Sequence, residues 1–598
     1  MRYRSGRWKR ALPIATVRPM AERTVLCVLD RGETAALQPL DVEQAVAILT
    51  QAPEPGYEFY GARSAEAVWE LARGGCWRLT LSADPKDAIA LLRRAFASHV
   101  RKESFHNHYT SLVEEIERAF PVERWRLDDI PLWPLARFGL YVDMHRAMFG
   151  DAEPRQRSLL LRVGAALARP LINRWRARHD PVHQLHGPQS AHAILLGDGV
   201  SLDAVDGAYQ DRFGEPVIAA LECAGKKTFV MQPGDLSRLP WRRATFATSV
   251  VEARAFLASL FRRTRPHLPQ HARLMKFLAL KDVDAPSLAV RSLGRRVGII
   301  AAAAEMFEGI LRRVNPSIAF VVNPAAGLGP AFVLACRRRG ILSVDLQRCP
   351  RAGAPMAYGW PLLPSDGYAT LPSVFWTWDV EETPHLPASR WHRDLHGGHA
   401  QIRPFLDDGD PATLAWDKEI RRLRTGEYTR EILVALQPVG GQQDQWNALA
   451  DVIETAPATW RWWIRRHPAM RPHQDAAFGR LLSLRGPNVV IDPPVPLPAL
   501  LRHMSVLLSL ASGAAVEASW FGVPVFFLSA EACGPFGALL ASREARLIPP
   551  ADVAAEIARL PGRSQRPTRK QEPALEETLK RLEAMARDHA RLCAGMPP

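Results

Sequence analysis

Three short stretches in the last third of the chain carry side chains suited to gripping a phosphorylated ligand. The first is Val506–Leu528, VLLSLASGAAVEASWFGVPVFFL. A buried strand ends at Leu510, Ala511-Ser512-Gly513 forms a tight turn, and a helix follows to about Phe521. A helix start presents unpaired N–H groups and partial positive charge. Gly513 allows close approach and Ser512 adds a hydroxyl, so the turn suits a phosphate. Glu517, one turn further, is spaced to reach a ribose or sugar hydroxyl. A plainer reading has Ser512 only capping the helix and Glu517 solvated. The second stretch is Trp460–Met470, WRWWIRRHPAM. A strand ending near Ile464 delivers Arg465, Arg466, His467 and Pro468 to the carboxyl edge of its sheet, where open α/β sheets bind ligands. Pro468 restrains His467 to an extended backbone, and a rigid imidazole beside two guanidinium groups can hold a phosphate or diphosphate. The third is the loop containing Gln437-Pro438 and Gly440-Gly441, at the same edge.

The elements that must position these loops follow a strand–helix alternation. Apolar runs at 432–436, 460–464, 489–491, 506–510 and 525–528 read as strands. Helical spacing fills the gaps at 443–455, 474–484, 497–504 and 514–521. An earlier block shows the same pattern. It has strands at 193–196, 227–231, 317–322 and 341–346, and helices near 216–224, at 288–314 and at 330–339, the last ending on Gly340 as a C-cap. Alternation of this kind makes a parallel sheet covered by helices. Between the two blocks, 348–398 is rich in Pro, Trp and Gly and reads as a connector. The predicted organisation is a basic flexible arm at 1–20, an accessory α/β unit at 21–185, an acceptor-side Rossmann-like domain at 186–400, a donor-side one at 401–565, and a C-terminal helix at 566–598. Within the accessory unit, 24–29 reads as a strand, and 42–49, 65–71, 85–97 and 109–120 as helices.

The chain has 598 residues, 47% of them apolar and 23% charged, which suits several packed cores rather than disorder. The formal net charge of +15 is carried mostly by scattered arginines, clustered only at Arg2, Arg4, Arg7, Lys9 and Arg10. No zinc-finger spacing or RNA-recognition signature accompanies it, so nucleic acid is not expected as a partner. That basic arm predicts contact with anionic lipid. Seven cysteines without a CxxC pair argue against a disulfide framework or a structural zinc site, and for a reducing, cytoplasmic setting. No apolar run reaches the roughly 20 residues that span a bilayer, so any membrane contact is expected to be peripheral, at the inner face.

Taken in order, QP…GG, RRHP and SGAAVEASWFGVP resemble the donor-binding domain of GT-B glycosyltransferases. The likeness is to the bacterial surface-polysaccharide group, the capsule and lipopolysaccharide enzymes that include Kdo and sialic acid transferases with an HP motif. Val205–Val217 (VDGAYQDRFGEPV), Gly340–Gln347 (GILSVDLQ) and Tyr368–Trp378 (YATLPSVFWTW) look like segments of the same group. The resemblance covers about 193–560. It implies two Rossmann-like domains and a CMP- or UDP-linked sugar as donor, with no obligatory metal or other cofactor. The acceptor would be a glycan or glycolipid. By position, His467 contacts the donor phosphate, Ser512 and Gly513 bind phosphate or nucleotide, and Glu517 holds a donor hydroxyl. Arg465 and Arg466 neutralise the leaving group. A carboxylate of the first Rossmann-like block takes the acceptor proton, with Asp206 first and Asp198 second in line. Both Asp residues also suit plain turns. One departure stands out. The group has Gln-His-Gly where this chain has Gln347-Arg348-Cys349, and an arginine cannot shuttle a proton. The alternatives on this scaffold are a nucleotide-sugar epimerase, a polyol-phosphate transferase, and a non-catalytic descendant acting as a binding partner.

Overall fold

The structure, a computed structural model, describes 105–149, 159–177 and 189–595, except 206, 234–240, 244, 263, 351–353, 380–385, 388, 425, 438–442, 468–469, 471–477 and 562–572. Ahead of these it describes only 3–5, 8–10, 26–31, 36–40, 44 and 76–81. The chain divides into two compact units, Met1–Glu103 and Ser104–Pro598.

Two parallel sheets organise the larger unit. The first contains β1 (Ala193–Leu196), β2 (Thr228–Gln232), β3 (Thr245–Ala247), β4 (Ile318–Val321), β5 (Leu342–Leu346), β6 (Val374–Thr377) and β7 (Arg393–His396). Its order is β3-β2-β1-β4-β5-β6-β7, with every neighbouring pair parallel. The second contains β8 (Arg430–Ala435), β9 (Trp460–Arg465), β10 (Val489–Ile491), β11 (Val506–Ser509), β12 (Val525–Phe527) and β13 (Ala545–Leu547). Its order is β10-β9-β8-β11-β12-β13, again all parallel. Both sheets wind outward in two directions from their first strand, the doubly wound Rossmann-like arrangement. Two Rossmann-like lobes are therefore present.

Successive residues along a strand face opposite sides, and the cores divide accordingly. Ile194, Leu196, Ala319 and Val321 face a core shared with Tyr109, Leu112, Ile116 and Trp133. Ala193, Leu195, Ile318 and Phe320 face the other way, into a core that continues through Ile402, Phe405 and Ile420 to Leu433, Leu507 and Phe527 of the second sheet. Ile432, Val434, Trp462 and Leu508 face a third core on the far side of that sheet. The long helix Val290–Val314 packs on Ser249–Phe261 and Gly329–Arg339 through a small-residue face that includes Gly294, Gly298 and Ala301–Ala304. The last helix, Leu575–Cys593, lies against the first lobe at β4, β5 and the helix Gly214–Cys223. There Glu583 comes within 3.3 Å of His192 and 3.4 Å of Lys226.

Several elements differ from the sequence reading. The stretch taken as a connector supplies β6 and β7, which extend the first sheet. Its Pro, Gly and Trp residues hide two four-residue strands, and β7 is a half-exposed edge strand without an apolar run. β3 and β13, three residues each, were too short to register as strands. The helices Phe105–Ala119 and Trp133–Phe149, assigned by sequence to a unit at 21–185, share the core of the first lobe, and the compact division falls after Glu103. Within the smaller unit, Leu26–Arg31 pairs parallel with Cys76–Leu81, which pairs antiparallel with Ala36–Leu40. Tyr3–Ser5 pairs with Trp8–Arg10 inside the stretch expected to be a flexible arm. The helices expected at 65–71 and 85–97, and at 42–49 apart from Gln44, lie outside the described residues.

A buried ion pair ties the 105–149 helices to the segment after β5. Arg137 and Glu117 are 1% and 3% exposed, with Nη1 and Oε1 3.4 Å apart. Arg137 also donates to the carbonyls of Pro355 and Gly359 and stacks over Trp360. Burial pushes the Glu117 carboxyl above its ordinary pKa, although Arg137 and the Trp133 N–H oppose the shift. Replacing Arg137 with Met leaves Glu117 buried without its counter-charge, which costs roughly 3–5 kcal/mol of stability. Urea unfolding of Arg137→Met against the parent chain checks this, and a loss below about 1 kcal/mol contradicts it.

Candidate active site

Each sheet reverses its winding beside its first strand, and the loops at the two reversal points approach one another, Pro350 of the first lobe against Gly513 of the second and Arg212 within electrostatic reach of Glu517 and Arg465. In the second lobe the reversal lies between β8 and β11. Gln437, just after β8, laces the two loops together. Its Nε2 donates to the Ala511 carbonyl at 2.6 Å, and its Oε1 accepts from the Ala511 N–H at 2.9 Å. This amide fixes the turn ahead of Ala514–Trp520. Within that turn the Ser512 N–H donates to Ser509 Oγ at 3.1 Å, and Ser512 Oγ accepts the Ala514 N–H at 3.3 Å. Ser512 thus acts as a local cap and is buried. Gly513 is closely approached: a Cβ there would lie 3.0 Å from Cδ of Pro350, which belongs to the first lobe, and would press on that ring.

Glu517 follows on the same short helix. Its Oε2 is buried and accepts no hydrogen bond. Burial raises its pKa to about 7, against the pull of Arg212 and Arg465. Arg465, at the end of β9, donates to the Val495 carbonyl. Burial and then the nearby charge of Arg212 disfavour its protonated form. Arg466 turns outward to Asp492, which also accepts its backbone N–H at 2.8 Å. His467 is exposed, yet its surroundings lower its pKa by desolvation, and the charges of Arg212 and Arg348 lower it further. One strand, β8, separates the His467 loop from the Ser512 turn, so two strand spacings, roughly 10 Å, lie between them along the edge. Pro468 and Gly440 lie outside the described residues.

The first lobe answers with its own loops. Asp198, after β1, has its side chain largely buried and accepts from the N–H groups of Val200 and Ser201 and from Ser201 Oγ at 2.7–2.9 Å. Arg348 Nη1 stands 3.5 Å from its Oδ2. Gln347 is an anchor: it takes the Trp378 N–H on Oε1, the Trp378 indole N–H on its carbonyl, and donates to the Cys349 carbonyl at 3.0 Å. Behind it, Phe213, Trp376, Trp378, His399 and Gln401 line a narrow pocket with room for about one water. Asp206 lies outside the described residues.

The structure adds residues that motif reading passed over. Arg212 binds Asp203 through two hydrogen bonds, the Nε–Oδ2 one at 3.0 Å, and both feel Glu517 and Arg465 across the gap. Asp211 is buried, accepts the N–H groups of Phe213 and Gly214, and takes Gln232 Nε2 at 3.0 Å. Burial raises its pKa to about 6. Gln232 in turn accepts the Gly199 N–H, so Asp211 holds the β1 loop as well as the helix start. The Asp-x-x-Gly spacing ahead of the helix Gly214–Cys223 was the available signal for Asp211. Nothing local marks Arg212 as a partner of residues some 250–300 positions away.

No family model and no curated protein matches the chain. Among solved structures the neighbours are UDP-GlcNAc 2-epimerases and glycosyltransferases. The UDP-GlcNAc 2-epimerase from Neisseria meningitidis, bound to UDP-GlcNAc, is similar at 13% identity and a TM-score of 0.40, over 66% of this chain and 100% of that one. The UDP-GlcNAc 2-epimerase from Methanocaldococcus jannaschii gives 11% and 0.38, over 66% and 99%. The glycosyltransferase SnogD from Streptomyces nogalater gives 15% and 0.35, over 68% and 99%.

The Glu517 shift has a pH consequence. Its folded pKa of about 7 exceeds the ordinary 4.5, so the unfolded chain loses this proton first. The group therefore destabilises the fold progressively as pH rises from about 4.5 to about 7, and the penalty is fully developed above that. Glu517→Gln removes the titration, and the variant gains on the parent by up to about 3 kcal/mol across that window. Urea unfolding at pH 4.5 and pH 7.5 checks this, and a difference that stays constant with pH contradicts it.

Proposed function

We propose that the chain is a glycosyltransferase that moves a sugar from a CMP- or UDP-linked donor to a surface-polysaccharide or glycolipid acceptor. In this reading transfer inverts the anomeric centre and requires no metal. The observation that carries it is the meeting of Arg212 and Arg348 of one lobe with Arg465 and His467 of the other, at the carboxyl edges of two doubly wound sheets. Behind burial, the charge of Arg212 disfavours the protonated form of Arg465, and the charges of Arg212 and Arg348 that of His467; an anionic ligand placed beside these two groups relieves that cost. A nucleotide's phosphate tail has the matching charge, and sheet reversal points are where such ligands sit.

In this reading the donor phosphates lie along His467, Arg465 and the turn Ser512-Gly513, with Gln437 and the Gly440 loop beside them, while Arg466, expected from the sequence to join them, is turned to Asp492. Pro350 covers Gly513, so the turn takes a phosphate only when the Cys349–Pro350 segment withdraws. Glu517 holds a donor hydroxyl. Asp206 or Asp198 removes the acceptor proton as the anomeric carbon is attacked, and the guanidinium groups stabilise the departing nucleotide. Asp198 already accepts three hydrogen bonds and faces Arg348, so its carboxylate is engaged and the base role falls first to Asp206. Arg348 stands where the resembled group has histidine. It supplies fixed charge on the acceptor side, next to Gln347.

A second reading, a nucleotide-sugar epimerase, draws on one observation: Glu517 exchanges its proton near neutrality, as a group that takes a proton from a sugar carbon must. Incubating the chain with nucleotide-sugar alone separates the two. An epimerase changes the sugar's configuration without acceptor, as NMR would record; a transferase does not.

Melting curves with CMP, UDP, GDP and CDP test the site itself. One of the four is expected to raise the melting temperature by several degrees, and His467→Ala or Arg465→Met to remove at least half of that rise. No stabilisation by any nucleotide, or a full effect in His467→Ala, discards the assignment.

A further inference from the structure

Half of the large apolar side chains that stand exposed among the described residues belong to two helices of the first lobe that pack together. Leu167, Leu171 and Ile172 lie on Leu159–Ala177, and Val250, Leu260 and Phe261 on Ser249–Phe261. The first helix turns Val163, Ala166, Pro170 and Asn173 inward. Its outward positions are Gly164, Ala165, Leu167, Ala168, Arg169, Leu171 and Ile172, all exposed. A helix on a water-facing surface shows polar residues there. This one shows a nearly unbroken apolar face, with Leu171 69% exposed, and Phe261 at the end of its neighbour is 86% exposed.

The charge pattern selects the occupant. Leu159–Ala177 contains Arg162, Arg169, Arg174 and Arg176 and no Asp or Glu. Arg169 reaches Glu252 of the neighbouring helix at 3.2 Å, and Phe261 is followed by Arg262 and Arg263. Arg262 in turn reaches Glu305 at 2.6 Å, yet the two helices together carry five arginines and one acid, Glu252, so a second copy seated on this face would bring net positive charge against itself. A surface that is apolar at its centre and negative at its level of charge satisfies both features. We infer that this helix pair seats the first lobe on an anionic phospholipid bilayer, with the leucines and Phe261 at the acyl boundary and the arginines among the phosphates. No helix among the described residues is long and apolar enough to cross a membrane, so the contact lies in the interface plane. This is separate from contact by the basic arm at 1–20, and it does not depend on the chemistry assigned to the gap.

Flotation of the full chain with vesicles tests it, using phosphatidylcholine alone and phosphatidylcholine mixed with phosphatidylglycerol. The parent chain is expected to float with the mixed vesicles, less so at high salt, and to remain behind with phosphatidylcholine. Leu171→Glu combined with Phe261→Glu is expected to cut recovery at least about ten-fold, with an unchanged melting transition. Leu280→Glu, 86% exposed on another helix, is expected to float as the parent does. Failure of the parent to float with the mixed vesicles overturns the inference, as does undiminished flotation of the double variant, which would move the contact elsewhere. Light scattering that shows a dimer dissolved by the same double variant overturns it in favour of a second copy. If the double variant also melts early, Leu167→Ser with Ile172→Ser gives the same reading with a milder change.

Discussion

Loops at the carboxyl ends of two parallel sheets meet, and the charges gathered there constrain the rest of the molecule. Arg212, Arg348 and Arg465 are drawn in from two lobes, and each is held by a partner on its own lobe: Asp203, Asp198 and the Val495 carbonyl. Charged groups taken out of bulk water persist only when hydrogen-bonded or paired. The loops that deliver them are therefore fixed by further polar contacts, Gln437 across the second reversal point and Gln232 and Asp211 beneath the first. Glu517 is the member of this set with an unsatisfied oxygen, and its raised pKa is the electrostatic record of that.

The packing around the gap serves the same end. One apolar core runs from the first sheet through Ile402, Phe405 and Ile420 into the second. The terminal helix returns from the second lobe to the first, and Glu583 meets His192 and Lys226. The buried Arg137–Glu117 pair holds the segment following β5, the same chain that carries Arg348 and Pro350 to the gap. Pro350 resting on Gly513 joins the two lobes at the turn itself.

Much of the second lobe was legible in the sequence because its strands are short apolar runs separated by helices of clear period. β8, β9 and β11 fall within a residue or two of the expected spans, as does the turn at Ser512-Gly513. The first lobe was only partly legible. β6 and β7 sit in a stretch whose Pro, Gly and Trp content signals loop, and burial on both sides by distant segments makes Val374–Thr377 a strand. The placement of Phe105–Phe149 in the first lobe's core was equally hidden. Amphipathic helices declare that they will be covered, without naming the surface that covers them. Of the candidate residues, sequence singled out Asp198, Arg348, Arg465, His467 and Glu517 separately, and the described structure brings their neighbourhoods to one gap.

What the sequence determined by itself is local: the βα alternation, the loops with phosphate-compatible chemistry, and the substitution of Arg348-Cys349 for the expected His-Gly. Periodicity and turn residues act over a few positions, and they are written directly into the order of side chains. The tertiary structure decided which groups meet. It put Arg212 beside Glu517 and Arg465, set Pro350 on Gly513, made Ser512 a cap inside a covered turn, and left an arginine-bearing apolar helix face open on the first lobe. Those outcomes depend on burial and charge between residues hundreds of positions apart, where pairing is set by the winding of the sheets and by no short-range pattern.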